Sequence, residues 1–216
     1  MLAAYIDHTN LRQDATIADM HRLCEEALQA KFTAVCVPPI YVYECAQRLA
    51  GSGVAVATVV GFPCGYHLPY VKAAEAEMAI IGGADELDMV AQIGAIKSGN
   101  WKALELEVRE VLEVVKMSGK KLKVIIESGI LTDDALAGCC QLYGRFNIDF
   151  LKTSTGFAAV GATVHAVEMM RELLPERIAI KASGGIKTYT FAKELIAAGA
   201  TRLGCSASLQ ILAEAP

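Results

Sequence analysis

Two lysines interrupt runs that are otherwise apolar. In FLKTSTG, residues 150–156, an apolar approach runs into Lys152 and is followed by three hydroxyl residues and a glycine; in IAIKASGG, residues 178–185, Lys181 stands in a similar setting. An ammonium at the end of a buried strand either finds a partner or loses its proton, because the charged form is penalised away from water. The two lysines are 29 residues apart, one βα unit, which places them on neighbouring strands with converging side chains. Two ammonium groups in a confined apolar mouth repel and lower the pKa of one, leaving a free amine able to attack a carbonyl and form a Schiff base. A second reading makes both lysines ion-pair partners of Glu127 and Asp88, or rim residues reaching solvent. The residue pattern alone leaves both readings open.

Glycines supply the other half of a candidate site. TSTG at 153–156, SGG at 183–185 and LGCS at 203–206 follow three successive apolar runs. Loops of this kind expose backbone N–H groups that bind phosphate. One such run is usually only a tight turn, so it is their joint position that points to phosphate. Acids complete the set: Asp7 in AYIDHT, Asp88 in ADELDMV and Glu127 in LKVIIESG. Within the alternation of ADELDMV, Glu86, Asp88 and Val90 share one face.

The elements that must position these residues alternate between short β-rich runs and longer helical patterns. Strands are expected over 4–9, 33–37, 54–62, 84–90, 122–129, 149–156, 178–185 and 201–206, with helices through 17–28, 43–49, 72–81, 101–117, 162–174 and others between them. Eight strands with helical returns suit a closed parallel sheet, an α/β TIM (β/α)8 barrel, with residues 1–216 as a single domain. Active sites of such barrels gather at the C-terminal ends of the strands. Asp7, Asp88, Glu127, Lys152 and Lys181 are all expected on that rim.

Composition narrows the partners. The net charge of −4 gives no reason to expect nucleic acid or an anionic membrane, and no apolar run approaches the ~20 residues that span a bilayer. The N-terminus lacks the basic region and apolar run of a signal peptide. The seven cysteines form no CxxC pair and have no nearby histidines at metal spacing, which predicts reduced, mostly buried thiols in a cytoplasmic protein and no metal site.

YIDHTNL, VCVPP, VATVVGFPCG, GADELDMVAQIGAIKSG, LKVIIESGIL, FLKTSTGF, IKASGGIKT and RLGCSAS occur in this order, and with them nearly the whole chain resembles the deoxyribose-phosphate aldolases of the short bacterial type. KTSTGF together with KASGGI is the most specific part of the match. The resemblance implies a class I aldolase on a TIM barrel, reversibly cleaving 2-deoxy-D-ribose 5-phosphate to D-glyceraldehyde 3-phosphate and acetaldehyde. It implies that Lys152 forms the Schiff base and that Lys181 lies beside it, depresses its pKa and joins a proton relay. Asp88 would move protons with Lys181 and water, and Asp7 would support the same network. Thr153, Gly156, Gly184, Gly185, Lys187, Gly204 and Ser206 fall at the substrate and phosphate end. No cofactor is implied beyond the covalent link on Lys152; the partners are small sugar phosphates and aldehydes, with a homo-oligomer, dimer or tetramer, expected.

The chain departs from the family pattern mainly at the phosphate end. Ala158, Ala159 and Val160 replace a glycine-rich stretch, Ser206 is followed by Ala207 with Ser208 displaced by one, and Lys187 stands where arginine is common. GYHL at 65–68 replaces another usual loop. These changes predict a relaxed need for the 5-phosphate, and they keep in view a Schiff-base barrel aldolase acting on a different, non-phosphorylated acceptor. His8, His21 and His165 read as scaffold or surface residues, Cys36 as a buried thiol at the substrate mouth, and Trp101 as core or subunit interface.

Overall fold

A computed structural model describes residues 2–215. Eight parallel strands close into a barrel in sequence order: β1 (Ile6–Thr9), β2 (Ala34–Val37), β3 (Ala55–Val60), β4 (Glu86–Val90), β5 (Lys121–Ile125), β6 (Phe150–Lys152), β7 (Ala179–Ser183) and β8 (Arg202–Cys205), with β8 pairing back onto β1. The returns are α1 (Ile17–Ala30), α2 (Val42–Leu49), α3 (Pro69–Ile81), α4 (Ile93–Lys97), α5 (Trp101–Met117), α6 (Asp133–Tyr143), α7 (Val164–Leu173), α8 (Tyr189–Ala197) and α9 (Ser208–Ala213). The expected strands are present, shortened at the ends where proline or glycine loops begin. The short α4 is the one helix without a counterpart in the sequence reading, since five residues are too few for a periodic signal.

Local chemistry fixes where the long helices start. Thr16, Thr132, Thr163 and Thr188 each cap a helix by accepting from the backbone N–H three residues on, and Asp19 reciprocates to Thr16 in a capping box. Pro69 occupies the first turn of α3, where its missing N–H costs nothing.

The pleat sorts the side chains into two layers. Val35, Val37, Leu87, Met89, Val124, Leu151, Ile180 and Leu203 point outward into one apolar layer beneath the helices. The alternate positions point into the barrel, and there the content is charged: Asp7, Glu86, Asp88, Lys123, Lys152, Lys181 and Arg202 are all buried. The expectation that Asp7, Asp88 and Lys181 line the rim is therefore corrected. They are fully buried inside the barrel, because they share the inward parity of their strands and lie one or more residues before the strand ends. Lys152, the last residue of β6, remains at the rim.

Candidate active site

β6 and β7 set Lys152 and Lys181 side by side as register partners. Asp88 reaches both from β4: its Oδ2 accepts from Lys152 Nζ at 2.7 Å and from Lys181 Nζ at 2.7 Å. Its other oxygen accepts from Lys123 Nζ at 2.7 Å, and Lys123 lies 2.6 Å from Glu86. Lys181 also donates to Asp7, whose second oxygen takes Arg202 at 2.6 Å. Arg202 closes the circuit onto Glu86 at 3.1 Å.

The interior thus holds three carboxylates, Asp7, Glu86 and Asp88, against four cations, Lys123, Lys152, Lys181 and Arg202. An unpaired buried charge is costly, so one cation too many is the group that gives up its proton. Burial pushes the Lys152 ammonium below the ordinary lysine range; Asp88 opposes this and Lys181 adds to it. With Lys152 neutral the remaining interior charges balance three against three. Burial acts on Lys181 too, but Asp7 and Asp88 outweigh it and hold its pKa above the ordinary range. Asp88, despite burial, is held well below the carboxylate range by Lys123, Lys152 and Lys181, and Glu86 is lowered to about 2 by Lys123 and Arg202 against the same burial. Repulsion between the two lysines, the cause inferred from sequence, is thus secondary to burial.

Of the interior cations among the described residues, Lys152 alone borders the open cavity, about 490 Å³ in volume. Gly156, Gly184, Gly185, Lys187, Gly204 and Ser206 border it as well. Gly184 and Gly185 take φ of 85° and 77°, which a side chain would strain, and a Cβ on Gly184 would press on the backbone of Gly161.

Three sequence-based placements change. Thr153 does not border the cavity: it is fully buried, its hydroxyl donating to Ser183 O at 3.2 Å and accepting from Ser183 N at 3.0 Å, so it joins two loops instead. Glu127 lies beyond the end of β5 in a left-handed conformation, φ 54°, and binds Thr155 rather than a lysine. Ala158, Ala159 and Val160 do not border the cavity either. Ser208 offers no replacement hydroxyl, being buried and committed to His8 at 2.9 Å and Cys205 O at 2.9 Å.

Sequence reasoning put Glu86 on the face of Asp88 without giving it a role, and missed Lys123 and Arg202, together with Arg12 and Arg22 at the cavity mouth. The signal for Lys123 and Arg202 was parity: Lys123 is two residues before Ile125, the register partner of Lys152, and so faces the same interior.

A family model described as DeoC/LacD family aldolase matches residues 1–213. The chain belongs to that family. Among curated relatives, a protein of Aciduliprofundum boonei named deoxyribose-phosphate aldolase is 47% identical over 98% of this chain and 95% of its own. One of Streptococcus gordonii with the same name is 48% identical over 98% of this chain and 95% of its own. A solved structure, described as a unique tetrameric structure of deoxyribose phosphate aldolase from Aeropyrum pernix, matches with a TM-score of 0.91 and 32% identity, covering 98% of this chain and 89% of that one. Family membership agrees with the closed eight-stranded barrel. No helix among the described residues is long and apolar enough to cross a membrane.

Proposed function

We propose that this protein is a class I aldolase that reversibly cleaves 2-deoxy-D-ribose 5-phosphate to D-glyceraldehyde 3-phosphate and acetaldehyde. The observation that carries the reading is Asp88 Oδ2, which accepts from both Lys152 and Lys181 at 2.7 Å while burial pushes Lys152 toward its free amine. The amine of Lys152 adds to the C1 aldehyde of the open-chain sugar, and the carbinolamine loses water to an iminium. Removal of the C3 hydroxyl proton breaks the C2–C3 bond, its electrons passing into the iminium to leave an enamine. Glyceraldehyde 3-phosphate departs, the enamine carbon is protonated, and hydrolysis returns acetaldehyde and Lys152.

Asp88 carries protons in this scheme, between Lys152 and the substrate oxygens, with Lys181 as the fixed cation beside it and Asp7 holding Lys181 in place. Gly156, Gly184, Gly185, Gly204, Ser206 and Lys187 take the phosphate end. No metal or organic cofactor enters the scheme, since the iminium supplies the electron sink. A cytoplasmic protein suits the seven unpaired cysteines, six of them buried. The tetramer described for the Aeropyrum pernix relative supports assembly of this chain into a dimer or tetramer.

The test is to incubate the protein with acetaldehyde, reduce with borohydride and map the adduct by mass spectrometry. A single adduct on Lys152 is expected; none, or one on another lysine, overturns the assignment.

A further inference from the structure

The barrel wall across from Lys152 differs in kind from the rest. β4 to β8 and β1 turn charged residues inward, whereas β2 and β3 offer Cys36, Ala57 and Val59, with Leu11 and Phe62 packed on them. Above this wall lies a second cavity of about 370 Å³, bordered by Leu11, Ile40, Val59 and Phe62 along with two prolines, and by Arg12 and Glu75 as its charged groups. The proposed sugar phosphate runs from Lys152 toward the glycine loops after β6, β7 and β8. It leaves this second cavity unused.

The two cavities adjoin. Leu11 and Arg12 border both, and Phe62 of the second meets Phe157 of the first edge-on at a centroid distance of 5.2 Å. One residue of the second cavity stands beside a reacting group. Val59 is the register partner of Asp88, and paired residues of a parallel sheet project to the same side. Asp88 in turn lies 2.7 Å from Lys152 Nζ. The charges of Lys181 and Lys152 act on the Cys36 thiol of the same wall.

We propose that this cavity is a subsite for the alkyl chain of a longer unbranched aldehyde donor, RCH2CHO. The inference rests on the Schiff-base reading of Lys152. The Lys152 amine condenses with the donor carbonyl and releases water; loss of a proton from the α-carbon gives an enamine that carries R on its nucleophilic carbon. That carbon attacks the carbonyl of an acceptor aldehyde, whose oxygen takes up a proton, and water hydrolyses the restored iminium to free the amine. One C–C bond forms and nothing is oxidised or reduced. R points to the apolar wall while the acceptor occupies the glycine-loop side.

The experiment runs the reaction in the direction of synthesis. The full-length protein is given D-glyceraldehyde 3-phosphate with acetaldehyde, propanal, butanal or pentanal, and the aldols are identified by mass. From propanal to pentanal kcat/KM is expected to rise about 4-fold per methylene, the factor that corresponds to burying one CH2. Val59→Phe fills the floor and is expected to abolish the rise. Ile40→Asp, at a position 82% exposed and therefore tolerant of charge, sets a carboxylate at the open end and is expected to remove the gain for pentanal. A flat or falling series with the unaltered protein overturns the proposal, as does a rise that survives Ile40→Asp together with any folded Val59→Phe. Absence of product with acetaldehyde itself overturns the aldolase reading instead.

Discussion

Lys152 has one cation more than its surroundings can neutralise, and two predictions follow the sign of that imbalance. The amine is reactive only when deprotonated, so kcat/KM rises with pH through the Lys152 titration, which burial and Lys181 set below the ordinary ~10.4 of lysine. Lys181→Met removes the repulsion and leaves Asp88 Oδ2 to Lys152 alone. Both changes favour the ammonium, so the rising limb moves to higher pH, with a loss of about 10²–10⁴ in kcat at neutral pH because Asp88 loses the fixed cation beside which it carries protons. A pH–rate profile unchanged in position would rule this out. At the phosphate end, Gly184 and Gly185 keep the backbone cradle, and the departures that remain are Lys187, which borders the cavity, and Ala207, a missing hydroxyl worth about 1.5–3 kcal/mol. Comparing kcat/KM for deoxyribose 5-phosphate and deoxyribose is expected to show a phosphate preference below about four orders of magnitude; a larger ratio ends the idea of a relaxed requirement. Lys152 and Lys181 were legible in the sequence because each breaks an apolar run. Lys123 was not, since the alternation KLKV reads as an ordinary strand with one face in solvent, and only closure of the barrel buries it.

At the scale of elements, α3 and α5 are joined by a pair whose charges are both buried. Lys72 donates to Glu107, to Gly65 O at 2.6 Å and to Val90 O at 2.7 Å, while Glu107 accepts from Gln92 N at 3.1 Å. The pair therefore ties two helices to the loop after β3, which carries Phe62, and to the end of β4, which carries Asp88. Burial lowers the Lys72 pKa and raises that of Glu107, and each group opposes the shift of the other. Lys72→Met leaves Glu107 alone in the interior and is expected to cost about 3–5 kcal/mol in urea denaturation. Adding Glu107→Leu should recover much of this, because a packed apolar pair avoids both desolvation terms; a double variant no more stable than Lys72→Met would show that the carbonyl contacts, not the stranded charge, dominate. Helix starts were legible through their threonine caps and strands through β-branched runs. The Lys72 and Glu107 pairing was not, as both residues look like solvent-facing helix positions until the partner helix is placed.

Across the whole molecule, the alternation of elements was enough to read a closed barrel, while an exposed apolar patch shows only on the folded surface. α3 buries Lys72, Ala76 and Ala79, yet its opposite face is also apolar: Tyr70, Val71, Met78 and Ile81 are exposed, and Tyr66 and Leu68 lead into it. Glu77 is the exposed charge among them, and clustered exposed apolar side chains mark interaction surfaces. From sequence this helix read only as one more return, because its two faces cannot be told apart without knowing which one the barrel covers. If copies of the chain pair through α3, the protein sediments at a multiple of its 23.0 kDa mass, and Met78→Glu with Ile81→Glu shifts it to the monomer by setting carboxylates into an apolar contact. Because Met78 and Ile81 project away from Lys152 and its barrel, the monomer is expected to retain borohydride trapping of acetaldehyde. A wild-type protein that sediments as a monomer at micromolar concentration, or an assembly indifferent to both glutamates, would place the contact elsewhere.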